Sequence, residues 1–328
     1  ADVRQRHTGL DYPGESVMLY FLGLDTSNYT TSCALYDPRG TITEQRRPLL
    51  VEKGQRGLRQ NDAVFLHNAA LPKLLSSLLP GPTGDILAVG ASDRPRLEEG
   101  SYMPCFTVGA GYGQAIACSL GVPYYAFSHQ QGHIAAALFS AGALGLLSER
   151  FLAFHVSGGT TELVIVSPRG RDFQTEPVGR TLDISAGQLI DRTGVRMGLS
   201  FPCGEKMEKL AQNAEPARRP SVCVKDGDCC LSGVENLAEG LVKGGANAGG
   251  VAAFVIMSVI GALDGMLSHA LSRFGDLPVL MTGGVAACAA LREHFAGRYG
   301  AICASPKYAG DNAAGAAILA CRAHGAAF

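Results

Sequence analysis

Two histidines four residues apart, His129 and His133 in YYAFSHQQGHIAAALF, stand out as groups able to do chemistry. On a helix, positions i and i+4 share a face with Cβ atoms about 5–6 Å apart, close enough for two imidazoles to bind one divalent ion. The preceding segment, Pro123 to Ser128, reads as a strand, so this helix starts at a strand's carboxyl end, where open α/β sheets place their sites. A third ligand has to come from elsewhere, and a carboxylate suits the role. Asp311, in KYAGDNAAGAAILA, is the candidate, because it opens a predicted helix after a strand-like segment in the other half of the chain. Spacing alone leaves plainer readings open: a histidine in the first turn of a helix, and an aspartate that is simply its N-cap. It does not choose between iron and zinc either, since imidazole and carboxylate suit both. No HExxH is present, so zinc-protease chemistry of that type has no support.

A second chemistry is suggested by glycine pairs. VSGGTTE places Ser157, Gly158 and Gly159 in a turn between strands, where missing side chains let a ligand touch the backbone. MTGGVAA puts Gly283 and Gly284 after a strand and before a helix, the arrangement of an anion-binding helix N-terminus. Amides and hydroxyls in tight turns suit phosphates, because they donate hydrogen bonds without a side-chain charge. A nucleotide is the expected ligand.

The elements that must position these groups are organised by an internal repeat. FLGLDTSNYTTSCALYDPRG (21–40) aligns without gaps to FLAFHVSGGTTELVIVSPRG (151–170) at an offset of 130, with eight of twenty positions identical. The alternative is two unrelated hairpins with shared turn chemistry. Each copy reads as strand, short polar turn, strand. Helices are expected at 62–79, 107–120, 130–140, 184–197, 251–274, 290–298 and 312–324, and further strands at 85–91, 123–128, 279–282 and 301–304. Two α/β halves with the same opening hairpin predict a duplicated two-lobe fold of the actin/Hsp70/sugar-kinase, ribonuclease H-like kind, with both turns facing the phosphates across a cleft. The expected division is a polar leader over 1–16, a first lobe over 17–147 and a second over 148–328, with Met18 a possible native start.

Composition narrows the partners. The 28 basic and 29 acidic residues leave a net charge of −1, so no global positive field advertises nucleic acid. A nucleic-acid partner would need a local patch or a helper subunit. Ten cysteines include no Cys-x-x-Cys pair, which argues against a zinc ribbon. The apolar run from Val251 to Leu263 stops at Asp264 and falls short of the roughly 20 residues a bilayer needs. Free thiols without an apolar leader point to the cytoplasm and away from a membrane.

Together these segments resemble the universal tRNA threonylcarbamoyladenosine transferase family, long labelled glycoprotease or O-sialoglycoprotein endopeptidase. LGLDTSNYTTSCAL is similar to the family's LGIETSCDETSVA, and His129-Gln-Gln-Gly-His133 to its H-x-E-G-H. HVSGGTTEL, LDISAGQLIDRTGVRMGLSFPCG, Leu231-Ser232-Gly233, LMTGGVAACAALRE and GDNAAGAA resemble further family motifs, and the likeness runs from about Val17 onward. The resemblance implies an iron or zinc ion on His129, His133 and Asp311. It makes the expected nucleotide an adenine nucleotide or adenylate, and implies substrate contacts at His155, Val156, Ser157, Gly158, Gly159, Asp191, Gly204 and Cys288. It also implies transfer of a threonylcarbamoyl group from threonylcarbamoyl-AMP to the tRNA adenosine 3′ of the anticodon, with tRNA and a small actin-like subunit as partners.

Several segments depart from the family pattern. Cys288 stands where an asparagine follows GGVAA, Thr160 replaces the histidine of SGGHT, and Ile184 replaces the second aspartate of DDAAGE. The glycine-rich GPGL loop is replaced by SDRPRLEEGSYMPC, from Ser92 to Cys105, and the family's GGVxPE segment by EKGQRGLRQND, from Glu52 to Asp62. The loop from Pro216 to Cys230 is also unfamiliar. Arg94 and Arg96, with Arg56 and Arg59, are the basic residues expected nearest the site. These departures admit a second function: a paralogue that binds ATP or ADP and a metal, with a regulatory or assembly role and no tRNA modification. A metalloprotease rests on the old family label alone.

Overall fold

A computed structural model of the chain describes residues 18–27, 29–50, 58–79 and 84–325. The expected leader over 1–16 and Arg56 lie outside the described residues.

The first half opens with three antiparallel strands, β1 (Met18–Asp25), β2 (Thr30–Asp37) and β3 (Thr41–Pro48). Helix α1 (Gln60–Leu78), strand β4 (Gly84–Arg94), helix α2 (Phe106–Leu120), strand β5 (Tyr124–Ser128) and helix α3 (His129–Ser140) follow. The sheet order is β3-β2-β1-β4-β5, with β4 parallel to both β1 and β5.

The second half repeats the plan with β6 (Phe151–Val156), β7 (Thr161–Arg169) and β8 (Asp172–Arg180). A helical insertion then contains α4 (Ala186–Arg196), α5 (Gly204–Ala211), the hairpin β9 (Cys223–Lys225) and β10 (Asp228–Cys230), α6 (Ser232–Lys243) and the long α7 (Ala248–Phe274). Strand β11 (Val279–Thr282), helix α8 (Ala289–Tyr299), strand β12 (Ile302–Cys303) and helix α9 (Ala314–His324) complete it. The second sheet runs β12-β11-β6-β7-β8, the same topology as the first.

The repeat is therefore a structural duplication, down to the register. Phe21 pairs with Tyr36 and Phe151 with Val166; Asp25 pairs with Ser32 and His155 with Glu162, so each pair maps onto its counterpart at the offset read from the sequence. The shared Pro-Arg-Gly ends each second strand in a turn whose glycine has positive φ, +93° at Gly40 and +62° at Gly170, a conformation that costs glycine nothing sterically. The duplicated, mixed α/β architecture is the expected one. Sequence patterning missed β3, β8, α5, α6 and the β9–β10 hairpin. The third strands carry mostly polar residues on a sheet flank, and α5 and α6 are short with narrow apolar faces.

What positions the site is a crossing of two equivalent helices. Helix α3 follows the last strand of the first sheet, and α9 follows the last strand of the second. They touch at Gly132 and Gly315, where a Cβ on Gly315 would run into the Gly132 backbone. Helix α9 also lies on the first sheet, against Gly23 and Gly90, where side chains would collide with its backbone. Around the crossing a single core draws Phe21 and Phe127 from the first sheet, Phe151 and Leu280 from the second, and Leu138 and Ile318 from the helices. Each such side chain contributes roughly 1.5–3 kcal/mol on burial, so both sheets anchor the helix pair. Helix α7, by contrast, is long and apolar enough to cross a membrane by length and composition. It extends past the break expected at Asp264, and most of its apolar residues are buried in the second half's core.

Candidate metal centre and its cavity

Ser128 ends β5 and caps α3. Its hydroxyl accepts from the Gln131 amide, while the Gln131 side chain accepts from the Ser128 amide, a reciprocal capping box. Capping is thus completed by Ser128 and Gln131, which leaves the His129 ring for the site. Asp311 is not the cap of α9 either: Ala313 occupies that position, and Asn312 Oδ1 accepts from the Gly315 amide. The Ala313 amide is held by Glu44 of β3 at 3.1 Å. The N-cap reading of Asp311 therefore fails, while His129 does open the first turn of α3 without serving as its cap.

Among the described residues, His129, His133 and Asp311 form the group of three whose potential ligand atoms converge. The two Nε2 atoms are 2.9 Å apart, and Asp311 Oδ1 lies 3.3 Å from that of His129 and 3.5 Å from that of His133. Ligands about 2.0–2.1 Å from a tetrahedral ion are about 3.4 Å from one another, so the trio fits such an ion with small adjustments. A fourth residue completes the arrangement. Asp25, 1% exposed at the end of β1, places Oδ2 2.8 Å from His129 Nδ1 and accepts the Ser27 amide on Oδ1. A carboxylate on Nδ1 fixes the tautomer and turns the Nε2 lone pair toward the cluster.

Electrostatics agree with a cation-seeking site. Burial opposes charge on His129, but the Asp25 and Asp311 carboxylates outweigh it and hold the imidazole up at about 10. Burial also opposes charge on Asp311, yet hydrogen bonds from His129 and His133 hold its carboxyl far below the usual range. His155 behaves oppositely. Burial, reinforced by the neighbouring His133 and His129, pushes it down to about 3, so its ring stays neutral beside His133 at a centroid distance of 5.1 Å. Asp25 and His155 occupy the same position in the two repeats, one flanking each histidine of the pair.

The histidines open into a cavity of about 350 Å³, together with His155, Thr160, Glu162 and the charged loop that departs from the family pattern. The Ser157–Thr160 turn is closed by the Ser157 amide on the Thr160 carbonyl at 2.8 Å. Ser185, the N-cap of α4, donates to the Gly158 carbonyl at 2.7 Å, and Val156 is buried. Side-chain space beyond Gly158 and Gly159 is open. Gly158 shares a second, more open cavity of about 560 Å³ with Gln188, Asp191 and the exposed Phe201. Asp191 Oδ1 also accepts the Cys203 amide at 2.7 Å, just ahead of Gly204.

Gly283, at φ +102°, packs on the Val156 backbone, so the two glycine turns are neighbours. The expected helix N-terminus at this pair is displaced: a short 3-10 turn, Val285–Ala287, follows Gly284, and α8 begins only at Ala289. Its first amide is taken by Glu208 at 2.7 Å, a carboxylate already in the anion's place. Burial raises the neighbouring Cys288 thiol, with the Glu208 carboxylate adding to it. The structure thus brings His129, His133, Asp311 and His155 together, with Thr160 of the adjoining turn on the same cavity, whereas Gly158 faces the second cavity and Ser157, Gly159 and Gly283 line neither. Asp191 faces a separate cavity, and Gly204, Gly284 and Cys288 line neither of these two.

The expected arginine patch is largely neutralised, with Arg94 on Asp93 at 2.7 Å and Arg96 on Glu162 at 2.8 Å. Sequence reading missed Asp25, Glu162 and Glu208. The repeat offset, which superposes Asp25 on His155, was the signal available for Asp25.

Comparison with known proteins follows the same lines. The family profile described as TsaD, tRNA N6-adenosine threonylcarbamoyltransferase, matches residues 97–318. The chain is 31% identical over 284 residues to a protein of that name from Thermus thermophilus, covering 84% of each, and 30% identical over 290 residues to one from Methanopyrus kandleri, covering 84% of this chain and 81% of the relative. Solved structures share the fold at low identity. HypF of T. kodakarensis aligns with a TM-score of 0.59 at 11% identity, over 95% of this chain and 48% of that one. Component A of the Acidaminococcus fermentans (R)-2-hydroxyglutaryl-CoA dehydratase gives 0.54 at 16%, over 93% and 99%, and a ROK family glucokinase from Streptomyces griseus 0.51 at 12%, over 92% and 99%.

Proposed function

The chain belongs to the tRNA N6-adenosine threonylcarbamoyltransferase family, and we propose from that membership and its own site that it transfers a threonylcarbamoyl group from threonylcarbamoyl-AMP to N6 of the tRNA adenosine 3′ of the anticodon. The observation that carries this reading is the convergence of His129, His133 and Asp311 at the helix crossing, with Asp25 orienting His129. One divalent ion, iron or zinc, would be held by the three converging side chains and would supply a Lewis acid for the carbamoyl oxygen. The rest falls to the protein. Asp25 keeps the His129 Nδ1 proton in place. Within the Ser157–Thr160 turn the Gly158 and Gly159 amides would be offered to the adenylate, with open space at both glycines. The acceptor's exocyclic nitrogen attacks the carbamoyl carbon, the bond to the phosphate oxygen breaks, AMP leaves with the electron pair, and the nitrogen loses one proton.

A net charge of −1, with Arg94 paired to Asp93 and Arg96 facing the cavity, leaves no broad basic surface near the site for tRNA phosphates among the described residues. A small actin-like partner would supply that surface, and the reaction would belong to the cytoplasm. The second reading, an ATP- or ADP- and metal-binding paralogue without transferase activity, draws on the departures from the family motifs at Thr160, Ile184 and Cys288. Nucleoside analysis of tRNA incubated with the adenylate donor, with and without candidate partners, tests the two. Modification that requires a partner supports the proposal. No modification under any combination, with metal and nucleotide binding intact, selects the paralogue.

A further inference from the structure

The loop from Ser92 to Cys105 is one of the segments that depart from the family's motifs, and it forms one wall of the cavity beside the histidine pair. Its backbone is pinned there from both sides of one peptide. The Pro95 carbonyl accepts from the Gln130 amide at 3.1 Å, and the Arg96 amide donates to Ser101 Oγ at 3.0 Å. Arg96 is the only arginine or lysine in the cavity's lining among the described residues. Its Nη2 meets Glu162 Oε2 at 2.8 Å, and the other oxygen of Glu162 is taken by Gln130 Nε2 at 2.6 Å. Thr175 donates to Gln130 Oε1 at 2.9 Å and so fixes that amide's orientation. Glu162 is thus fully engaged, whereas Nε and Nη1 of Arg96 have no partner among the described residues.

We propose that Arg96 is the specificity-determining residue for a ligand carboxylate in this cavity, and that the carboxylate is that of the threonyl group on the donor. The assignment rests on the transfer reading above for the identity of the donor. The carbamoyl carbon must sit at the histidine cluster, so the atoms beyond it, the α-carbon with its carboxylate, occupy the same space. About 350 Å³ is near the small end of ligand pockets, which span about 300–1,000 Å³, and suits the acyl group rather than the whole adenylate. A guanidinium steadied by one carboxylate presents its remaining donors as a planar fork, which matches a second carboxylate better than a flexible ammonium would. Glu98 and Glu99 are exposed at the rim, so they repel an anion only weakly through solvent.

Calorimetry on the purified protein in buffer containing zinc separates the outcomes, with N-carbamoyl-L-threonine and its neutral carboxamide as probes. The wild-type protein should prefer the acid at least tenfold, Arg96→Gln should bind both alike, and Arg96→Lys should keep part of the preference. Thermal melting of each variant checks folding, since Arg96→Gln also removes the Glu162 ion pair. Equal affinity of the wild-type protein for the two probes, no measurable binding of the acid, or an unchanged preference in folded Arg96→Gln overturns the assignment. An Arg96-dependent preference in a protein that modifies no tRNA with any partner supports the carboxylate site and overturns the transfer reading instead.

Discussion

Replacing Asp25 with asparagine keeps the side chain's shape but removes the charge behind His129. The carboxylate is buried and accepts two hydrogen bonds, from His129 Nδ1 at 2.8 Å and from the Ser27 amide at 2.9 Å. Asparagine cannot serve both. If its oxygen faces His129, its NH2 group confronts the Ser27 N–H, donor against donor. If it flips, NH2 faces Nδ1, the ring proton moves to Nε2, and the lone pair aimed at the ion is lost. A single hydrogen bond to a charged group contributes about 1.5–3 kcal/mol, and outer carboxylates behind metal-bound histidines typically account for 10–100-fold in affinity. Asp25→Asn should therefore weaken zinc binding about 10–100-fold, or about 1.4–2.8 kcal/mol. Competition with a chromophoric chelator measures it, with His133→Ala as the reference for losing a direct ligand. Wild-type zinc affinity in a folded Asp25→Asn protein would refute the role given to Asp25 and weaken the case for a metal at this cluster.

Two further outcomes follow from burial and open space. Gly158 has room for a side chain and no positive φ, so Gly158→Val should fold normally yet weaken ATP or ADP binding at least tenfold, about 1.4 kcal/mol, by covering the turn amides; calorimetry showing undiminished binding would remove phosphate from that turn. His67 is fully buried, with Nδ1 2.8 Å from Thr31 Oγ1, and burial pushes it down to about 4 despite the nearby Asp25. The unfolded chain takes up this proton near 6.5 and the folded chain resists it, so stability present in full above that value is lost as pH falls from about 6.5 to about 4, by about 3 kcal/mol. Urea unfolding across that range should show the stability gap between wild type and His67→Gln shrinking by that amount; a gap independent of pH would contradict it.

Local signals were readable wherever a single element carries them. The histidine pair needs only helical spacing to share a face, and the hairpins needed only alternating apolar strands and a glycine turn. The duplication was visible because both copies retain the same residues at the same strand positions, which is why the register maps pair for pair. The ligand set was decided in three dimensions. Asp311 reaches the histidines because α9 crosses α3 at a contact that requires glycine at Gly315 and is seated on the first sheet as well as on its own. Asp25 and Glu162 look like ordinary strand residues until a partner distant in sequence, His129 or Arg96, is brought against them. The glycine pair before α8 shows the converse. Its sequence promised an anion site, but α5 folds so that Glu208 reaches the helix terminus first. A helix end attracts whichever carboxylate or phosphate the tertiary fold delivers to it, and spacing along the chain carries no record of that delivery.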